Sequence, residues 1–244
     1  MPLGVRPFLQ AFQDLCFPAA CLACGTRLTS ARPPLFCPGC LAAIRFLAGP
    51  LCTCCGRPFP AAAIPDHLCG ACLQGRWHFS RARALFLYNE VSGRAIHALK
   101  YGRSTAVLPT FRLWFRDLRE RLALSAPELI LPVPLHPHRL RQRGFNQALL
   151  LARALFADQR RRIQPLILQR QRPTPPQTGL SGAVRRRNLK GAFRVAAPED
   201  VAGRRVLLVD DVFTTGATAN ECARVLARAG AARIEVLTLA RAED

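Results

Sequence analysis

The sequence predicts an α/β domain with a parallel sheet flanked by helices, preceded by a small cysteine-rich module that binds metal. Ten of the 11 cysteines lie before residue 73, and strand-like and helix-like segments alternate from about residue 77. Strands that alternate with helices form parallel sheets through right-handed crossovers. We therefore place the module at residues 16–76 and the α/β domain at residues 77–244.

Eight of the cysteines form four CxxC pairs. A CxxC turn directs two thiolates at one tetrahedral centre, and two such turns complete a four-sulfur site. Short loops favour pairing the first CxxC with the second and the third with the fourth, with interleaved pairing as the alternative. The predicted metal ligands are Cys21, Cys24, Cys37, Cys40, Cys52, Cys55, Cys69 and Cys72.

The metal at these cysteines is predicted to be zinc. A disulfide framework would need an oxidising compartment, and nothing in the N-terminal sequence indicates secretion. An iron–sulfur cluster and a redox-active CxxC are the alternatives, but paired CxxC spacing favours two structural Zn²⁺ sites. Cys54 competes with Cys55 as a ligand, and Cys222 falls on the buried face of a helix.

The α/β domain contains five strand-like segments with helix-like segments between them. The strands are predicted at residues 84–89, 128–135, 165–170, 206–209 and 234–240, and the helices at residues 91–103, 106–124 and 145–158 and after residue 216. Ligands of an open parallel sheet bind beyond the carboxyl ends of its strands. We therefore expect the functional residues in the loops that follow these strands.

The segment VLLVDDVFTTGATA, residues 206–219, has the strongest functional pattern. Its apolar strand is expected to end at two carboxylates, which suit the vicinal diol of a ribose. The following turn offers backbone N–H groups and a helix N-terminus to a phosphate monoester. An ordinary Thr-capped helix is the alternative, but such a cap does not require two acids. The predicted ribose and phosphate ligands are Asp210, Asp211, Thr214, Thr215, Gly216, Ala217 and Thr218.

This segment resembles the phosphoribosyl pyrophosphate (PRPP) signature of type I phosphoribosyltransferases along its whole length. The resemblance implies a type I phosphoribosyltransferase-like sheet, with Asp210 and Asp211 as the catalytic carboxylates. It also implies displacement of pyrophosphate from C1 of PRPP, with Mg²⁺ bridging pyrophosphate and ribose oxygens.

Two further segments are candidates for the pyrophosphate. The loop after residues 128–135 carries His136, His138 and three arginines before Gly144. Residues 170–193 are polar, broken by proline and glycine, and expected to form a mobile lid. The alternative for each of these arginines is an ordinary solvated surface charge.

The motifs LKYGR, RQRGFNQ, PQTGLS and RRRNLKGAF, together with the cysteine pairs and the PRPP signature, resemble the ComF/GntX family of competence-type proteins. The likeness extends from about residue 16 to the C-terminus and implies a bacterial cytoplasmic protein associated with DNA uptake. It places the candidate pyrophosphate ligands Lys100, Arg143, Gln177 and Arg187 in motif blocks. Cys54, which lies inside the third CxxC, departs from the pattern of this family.

The net charge of +20 is compatible with several partners. It suits nucleic acid, and it also suits the anionic PRPP. Because 33 of the 35 basic residues are arginine, it is also explained by a coding bias. No apolar run approaches the roughly 20 residues that span a bilayer. The N-terminus is interpreted as a native start, so we expect a cytoplasmic protein without membrane insertion.

Three functions remain as hypotheses from the sequence. The first is a PRPP-dependent glycosyltransferase. The second is a non-catalytic module that senses PRPP or a nucleotide, or binds single-stranded DNA, because no hood pocket for a base is evident. The third is a scaffold that docks on a competence helicase through the cysteine-rich module.

Overall fold

The computed structural model describes residues 19–60, 65–75, 77–101, 105–172 and 187–243. In chain order the helices are α1 (Pro38–Ala42), α2 (Gly70–Leu73), α3 (Glu90–Tyr101), α4 (Leu108–Leu122), α5 (Pro137–Arg143), α6 (Gln147–Leu155) and α7 (Ala217–Arg228). The strands are β1 (Arg81–Leu87), β2 (Leu129–Pro132), β3 (Leu168–Arg170), β4 (Phe193–Val195), β5 (Arg205–Phe213) and β6 (Arg233–Arg241). Short 3₁₀ helices span Ala157–Arg162 and Pro198–Asp200.

Four strands form a parallel sheet in the order β1-β6-β5-β2. The predicted strand at residues 165–170 is different. Its C-terminal half, β3, pairs antiparallel with β4 in a separate two-stranded ribbon. The expectation that this strand joins the parallel sheet was therefore wrong. An apolar run of this length indicates a buried strand but not the partner with which it pairs.

The strand of the PRPP signature is longer than predicted. The sequence interpretation ended it at Val209, whereas β5 continues through the two carboxylates to Phe213. Its pairing explains the difference, because β6 accompanies β5 as far as Phe213. On the other side β2 ends at Pro132, opposite Val209. The last four residues of β5 thus pair on one side only.

The sheet is covered on both faces. Alternate residues of a strand point to opposite faces, and accordingly Leu208 and Val236 pack with α7 while Leu207 and Leu237 pack with α3, α4 and α6. Cys222 of α7 is fully buried in the first of these cores, as predicted. The near-continuous apolar strands follow from burial on both faces.

The cysteine-rich part packs directly on the sheet. The amide N–H of Ala82 in β1 donates to the carbonyl of Cys54 at 2.6 Å, and the Arg83 guanidinium donates to the carbonyls of Cys52 and Thr53 at 3.3 Å. On the opposite face, Phe36 packs on Trp114 of α4 with ring centroids 5.3 Å apart. The two parts therefore share hydrophobic cores rather than a solvated linker.

Within the described part of the chain, no helix is long and apolar enough to cross a lipid bilayer.

We predict that Gly56→Ala destabilises the metal-loaded protein more than Gly25→Ala. Both glycines follow a CxxC and have positive φ, +70° and +76°, so both substitutions carry the left-handed penalty of about 1–2 kcal/mol. A Cβ on Gly56 would lie 2.6 Å from the Ala82 carbonyl oxygen, whereas one on Gly25 meets nothing within 4 Å. Urea unfolding measures the difference, and equal losses would contradict this account of the docking.

Candidate functional site

The eight CxxC cysteines come together in two clusters of four, in the sequential pairing predicted. Cys21, Cys24, Cys37 and Cys40 form the first cluster, and Cys52, Cys55, Cys69 and Cys72 the second. Within each, all four Sγ atoms lie within 4.8 Å of one another. A tetrahedral ion with Zn–S bonds of 2.3 Å requires sulfurs about 3.8 Å apart. The Cys24–Cys37 and Cys55–Cys69 Sγ distances are 3.7 Å, so the donors fit one zinc ion per cluster.

The two clusters differ in their surroundings. The cysteines of the second cluster are all buried, while in the first Cys24 is exposed and Cys37 and Cys40 are half-buried. Cys54 lies outside both clusters, with its Sγ 3.9 Å from the carbonyl oxygen of Phe79. Cys54 therefore does not take the place of Cys55.

The two carboxylates lie on the part of β5 that extends past β2. Asp211 is buried, with 5% of its surface exposed, and Asp210 is half-buried. The backbone N–H of Asp211 donates to Oδ1 of Asp210 at 2.9 Å. This local bond fixes the Asp210 side chain against the Asp211 backbone at the carboxyl end of the sheet, where open parallel sheets bind their ligands.

Residues from two helices reach Asp211. Lys100, near the C-terminus of α3, forms an ion pair with its carboxylate. Gln147, the first residue of α6, donates from Nε2 to Asp211 Oδ1 at 3.3 Å. Arg143 in turn donates to Gln147 Oε1 at 2.7 Å, and its guanidinium lies 4.8 Å from the ring centroid of Tyr101.

Side-chain caps fix where these two helices begin. At the start of α3, the side chains and backbone N–H groups of Asn89 and Ser92 bond reciprocally at 2.9 Å, as in a capping box. At the start of α6, the Asn146 side chain accepts from the N–H of Ala148 and donates to the carbonyl of Val133 beyond β2. The end of β2 thus fixes the position of Gln147.

The two carboxylates have opposite pKa shifts. Burial and the neighbouring charge of Asp211 raise the pKa of Asp210 well above its ordinary value. Burial also disfavours the charged form of Asp211, but the Lys100 ammonium, a hydrogen bond with Asp210 and the Gln147 amide outweigh it and lower the pKa of Asp211. For Lys100 burial opposes the charge, yet the attraction of Asp211 raises its pKa. The site therefore holds Asp211 ionised beside a charged lysine.

The turn after β5 has the geometry of an anion site. Gly216, with φ of +70°, is the N-cap of the 12-residue helix α7 and supplies no side-chain cap. The first N–H groups of a helix lack intrahelical acceptors, and the helix dipole favours negative charge there. Among the described residues, Thr215 Oγ1 is a buried polar atom without a hydrogen-bond partner. Ala217 and Thr218 form the first turn of α7.

The basic segment after β2 is the helix α5 rather than the predicted loop. His136 is its N-cap and accepts from the N–H of His138 at 3.2 Å. Loss of hydration and the positive charges of Arg170 and Arg139 lower the pKa of His136, which indicates a positive potential in this region. Arg170 is itself buried, with its guanidinium 5.4 Å from the Phe193 ring centroid.

The four candidate pyrophosphate ligands do not form one group in the described structure. Lys100 and Arg143 lie around Asp211, whereas Arg187 is exposed. Gln177 and most of the predicted lid lie outside the described residues. The family resemblance places Gln147 in the RQRGFNQ motif, but Gln147 was not among the predicted ligands.

Two families match this chain. Residues 12–73 match a family described as a double zinc ribbon domain, and residues 154–244 match one described as a phosphoribosyl transferase domain. The matches coincide with the cysteine clusters and with the segment that contains β5 and the turn before α7.

Three relatives carry names that refer to DNA use or competence. The chain is 35% identical over 231 residues to DNA utilization protein YhgH of Salmonella typhimurium, covering 93% of this chain and 99% of the relative. It is 37% identical over 231 residues to Competence protein F of Haemophilus influenzae, covering 91% and 96%. Identity to Competence protein ComFC of Bacillus subtilis is 27% over 212 residues, covering 84% and 83%. The chain therefore belongs to the ComF/GntX family, in which a double zinc ribbon precedes a phosphoribosyltransferase domain.

Proposed function

We propose that the phosphoribosyltransferase domain binds PRPP and transfers its ribose 5-phosphate to an acceptor. The observation that supports this best is the ionised Asp211, paired with Lys100, a few residues before a turn that offers an unpartnered Thr215 hydroxyl. A buried carboxylate held in its charged form suits hydroxyl donors, and the turn suits a phosphate. Both groups belong to the same small ligand.

In the proposed complex, Asp210 and Asp211 accept hydrogen bonds from the ribose 2- and 3-hydroxyls. The 5-phosphate binds the turn of Thr214, Thr215 and Gly216 at the start of α7. If Mg²⁺ binds here, oxygen atoms of PRPP and of Asp210 would hold it, and it would neutralise negative charge on the pyrophosphate. Lys100, Arg143 and Arg187 are the cationic residues that we assign to the pyrophosphate side, together with Gln177.

The proposed reaction is a displacement at C1. The bond between C1 and the pyrophosphate oxygen breaks, and its electron pair leaves with pyrophosphate. A lone pair of the acceptor forms the new bond, and the ribose passes through an oxocarbenium-like state. The ionised Asp211 stabilises positive charge on the ring because it is fixed before the reaction by Lys100 and Gln147. Holding PRPP and the acceptor in a reactive orientation contributes the rest of the lowering of the activation barrier.

The names of the relatives suggest the cellular process in which this domain acts. We propose that the chain takes part in the uptake or use of DNA, in the cytoplasm, where reduced thiols keep the zinc clusters intact. Docking on a competence helicase through the zinc ribbons is part of this proposal. The assignment of the ribbons to residues 16–76 and of the transferase domain to residues 77–244 stays a prediction.

We predict that PRPP with Mg²⁺ raises the melting temperature of the wild-type protein and that Asp211→Asn abolishes most of the shift. A ligand present at 100 times its Kd stabilises the native state by about 2.7 kcal/mol. The amide of asparagine removes the charge and one acceptor. Asp200→Asn, at an exposed position in a 3₁₀ helix, serves as the matched control. An undiminished shift in Asp211→Asn would count against the diol site.

We predict that Lys100→Met moves the acid limit of PRPP binding to higher pH. Lys100 lowers the pKa of Asp211, so in the wild type Asp211 is protonated, and binding lost, only below that lowered value. Without the ammonium the pKa of Asp211 rises, so binding declines earlier as the pH falls. Isothermal titration at a series of pH values measures the midpoint. Lys190→Met, at the only other lysine, should keep the wild-type midpoint, and an unchanged midpoint in Lys100→Met would exclude this role.

A second candidate function, binding of single-stranded DNA, is favoured by a groove along one side of α3. Both tyrosines of the chain, Tyr88 and Tyr101, line a cavity of about 600 Å³ between α3 and the first zinc ribbon. They are 40% and 63% exposed. Arg94 of α3, which is paired with Glu90, lines the same cavity. Aromatic rings beside cations are the usual surface for stacking unpaired bases.

We predict that Tyr101→Ala weakens binding of a short single-stranded oligonucleotide. Stacking of one base on an aromatic side chain contributes about 1–3 kcal/mol, so we expect a loss of roughly 5- to 150-fold. Fluorescence anisotropy at fixed salt measures it, because phosphate contacts depend steeply on salt. Leu166→Ala, which removes another exposed apolar side chain, should leave the affinity unchanged. Equal affinities for both variants would exclude the groove as the site that binds the oligonucleotide.

A further inference from the structure

The second cysteine cluster shares a face of the sheet with the phosphate-binding turn. Its four buried cysteines belong to the same hydrophobic core as Phe213, the last residue of β5, and Ala217, the first residue of α7. The first cluster packs on the opposite face, where Cys21 and Phe36 join the core of Trp114 and Phe86. In the described part of the chain, then, the two clusters have different neighbours.

A buried arginine connects the second cluster to the end of β5. Arg241, the last residue of β6, donates from Nη1 to the carbonyl oxygen of Cys55 at 2.7 Å. Its guanidinium carbon lies 4.9 Å from the centroid of the Phe213 ring, and Arg241 is only 5% exposed. The Cys55 carbonyl belongs to the CxxC turn, whose backbone is fixed when both thiolates bind one ion.

Two aromatic rings continue this connection to the turn. A Cβ on Gly216 would lie 2.5 Å from Phe213 and 2.8 Å from Trp77, so both rings already contact the glycine backbone closely. The two ring centroids are 6.2 Å apart. His78, which follows Trp77 in the chain, donates its backbone N–H to Oδ1 of Asn220 in α7 at 2.7 Å. The start of α7 is thus held by the segment that follows the second cluster.

We propose that Arg241, Phe213 and Trp77 are positioning residues through which metal binding at the second cluster sets the shape of the phosphate-binding turn. The contacts among these three residues are independent of the proposed function, whereas the identity of the ligand that binds the turn rests on the proposed binding of PRPP. When the second cluster loses its ion, the Cys55 turn relaxes, Arg241 loses its fixed acceptor, and the rings no longer hold Gly216. Among the described residues, the first cluster packs in the other core and not against the turn.

The two tryptophans of the chain report on the two clusters separately. Trp77 contacts Gly216, and Trp114 packs on Phe36, next to Cys37 of the first cluster. In a Trp114→Phe protein the emission therefore comes from Trp77 alone, since the chain has two tryptophans. We expect Cys72→Ser to shift this emission and Cys40→Ser to leave it unchanged. In a Trp77→Phe protein, in which only Trp114 emits, we expect Cys40→Ser to shift the emission and Cys72→Ser to leave it unchanged.

A second pair of variants leaves every cysteine in place, so that misfolding of a cysteine variant does not decide the result. Arg241→Lys keeps the charge but loses the planar stack on Phe213. Arg83→Lys is the matched control, because Arg83 is equally buried and donates to the same CxxC turn but belongs to β1. Both full-length variants should retain two zinc ions, measured by elemental analysis.

The expected result is a rise of about tenfold in the Kd for PRPP with Mg²⁺ in Arg241→Lys, within the range typical of coupled sites, and less than a twofold change in Arg83→Lys. Trp77 emission should respond less to a zinc chelator in Arg241→Lys than in Arg83→Lys. Equal behaviour of the two variants, or a Trp77 response to loss of the first cluster alone, would overturn the proposal. If the wild type binds no PRPP, the proposed function fails, while the emission measurements still decide the coupling.

Discussion

The unequal pairing of β5 is the constraint on which the candidate site depends. Because β2 ends at Pro132, the last four residues of β5 pair with β6 alone. Side chains from helices can then reach the strand where β2 would otherwise lie, and Gln147 occupies such a position. An ionised carboxylate at this depth requires a partner, which Lys100 of α3 supplies. The sheet, α3 and α6 therefore meet at one side chain.

The zinc ribbons are integrated with the transferase domain to different degrees. The buried second cluster contributes its cysteines to the core under α7, and carbonyls of its CxxC turn accept bonds from β1 and β6. The first cluster contacts α4 mainly through Phe36, and Cys24 remains exposed. Four thiolates per ion provide stability that a short, apolar-poor segment would otherwise lack. Of the two clusters, the first is thus the more exposed to solvent.

Much of the fold followed from local patterns. The CxxC spacing predicted both clusters because two thiolates with two residues between them are directed at one metal centre. Apolar runs located β2 and β6, and amphipathic periodicity located α3, α4 and α6 within a few residues. The end of β5 and the partner of β3 were predicted wrongly, since both depend on which strand lies alongside. Pairing between distant segments leaves little trace in the composition of either one.

The sequence by itself determined the chemistry of the site: two adjacent acids, a Thr/Gly turn, a helix start and eight paired thiolates. These are local features, and their physical roles do not depend on distant residues. Only the tertiary structure decided that Lys100 binds Asp211, that Arg143 acts on Gln147, and that Arg241 joins the second cluster to Phe213. These contacts join residues from different strands and helices, and folding brings such residues together by packing rather than by their order in the chain.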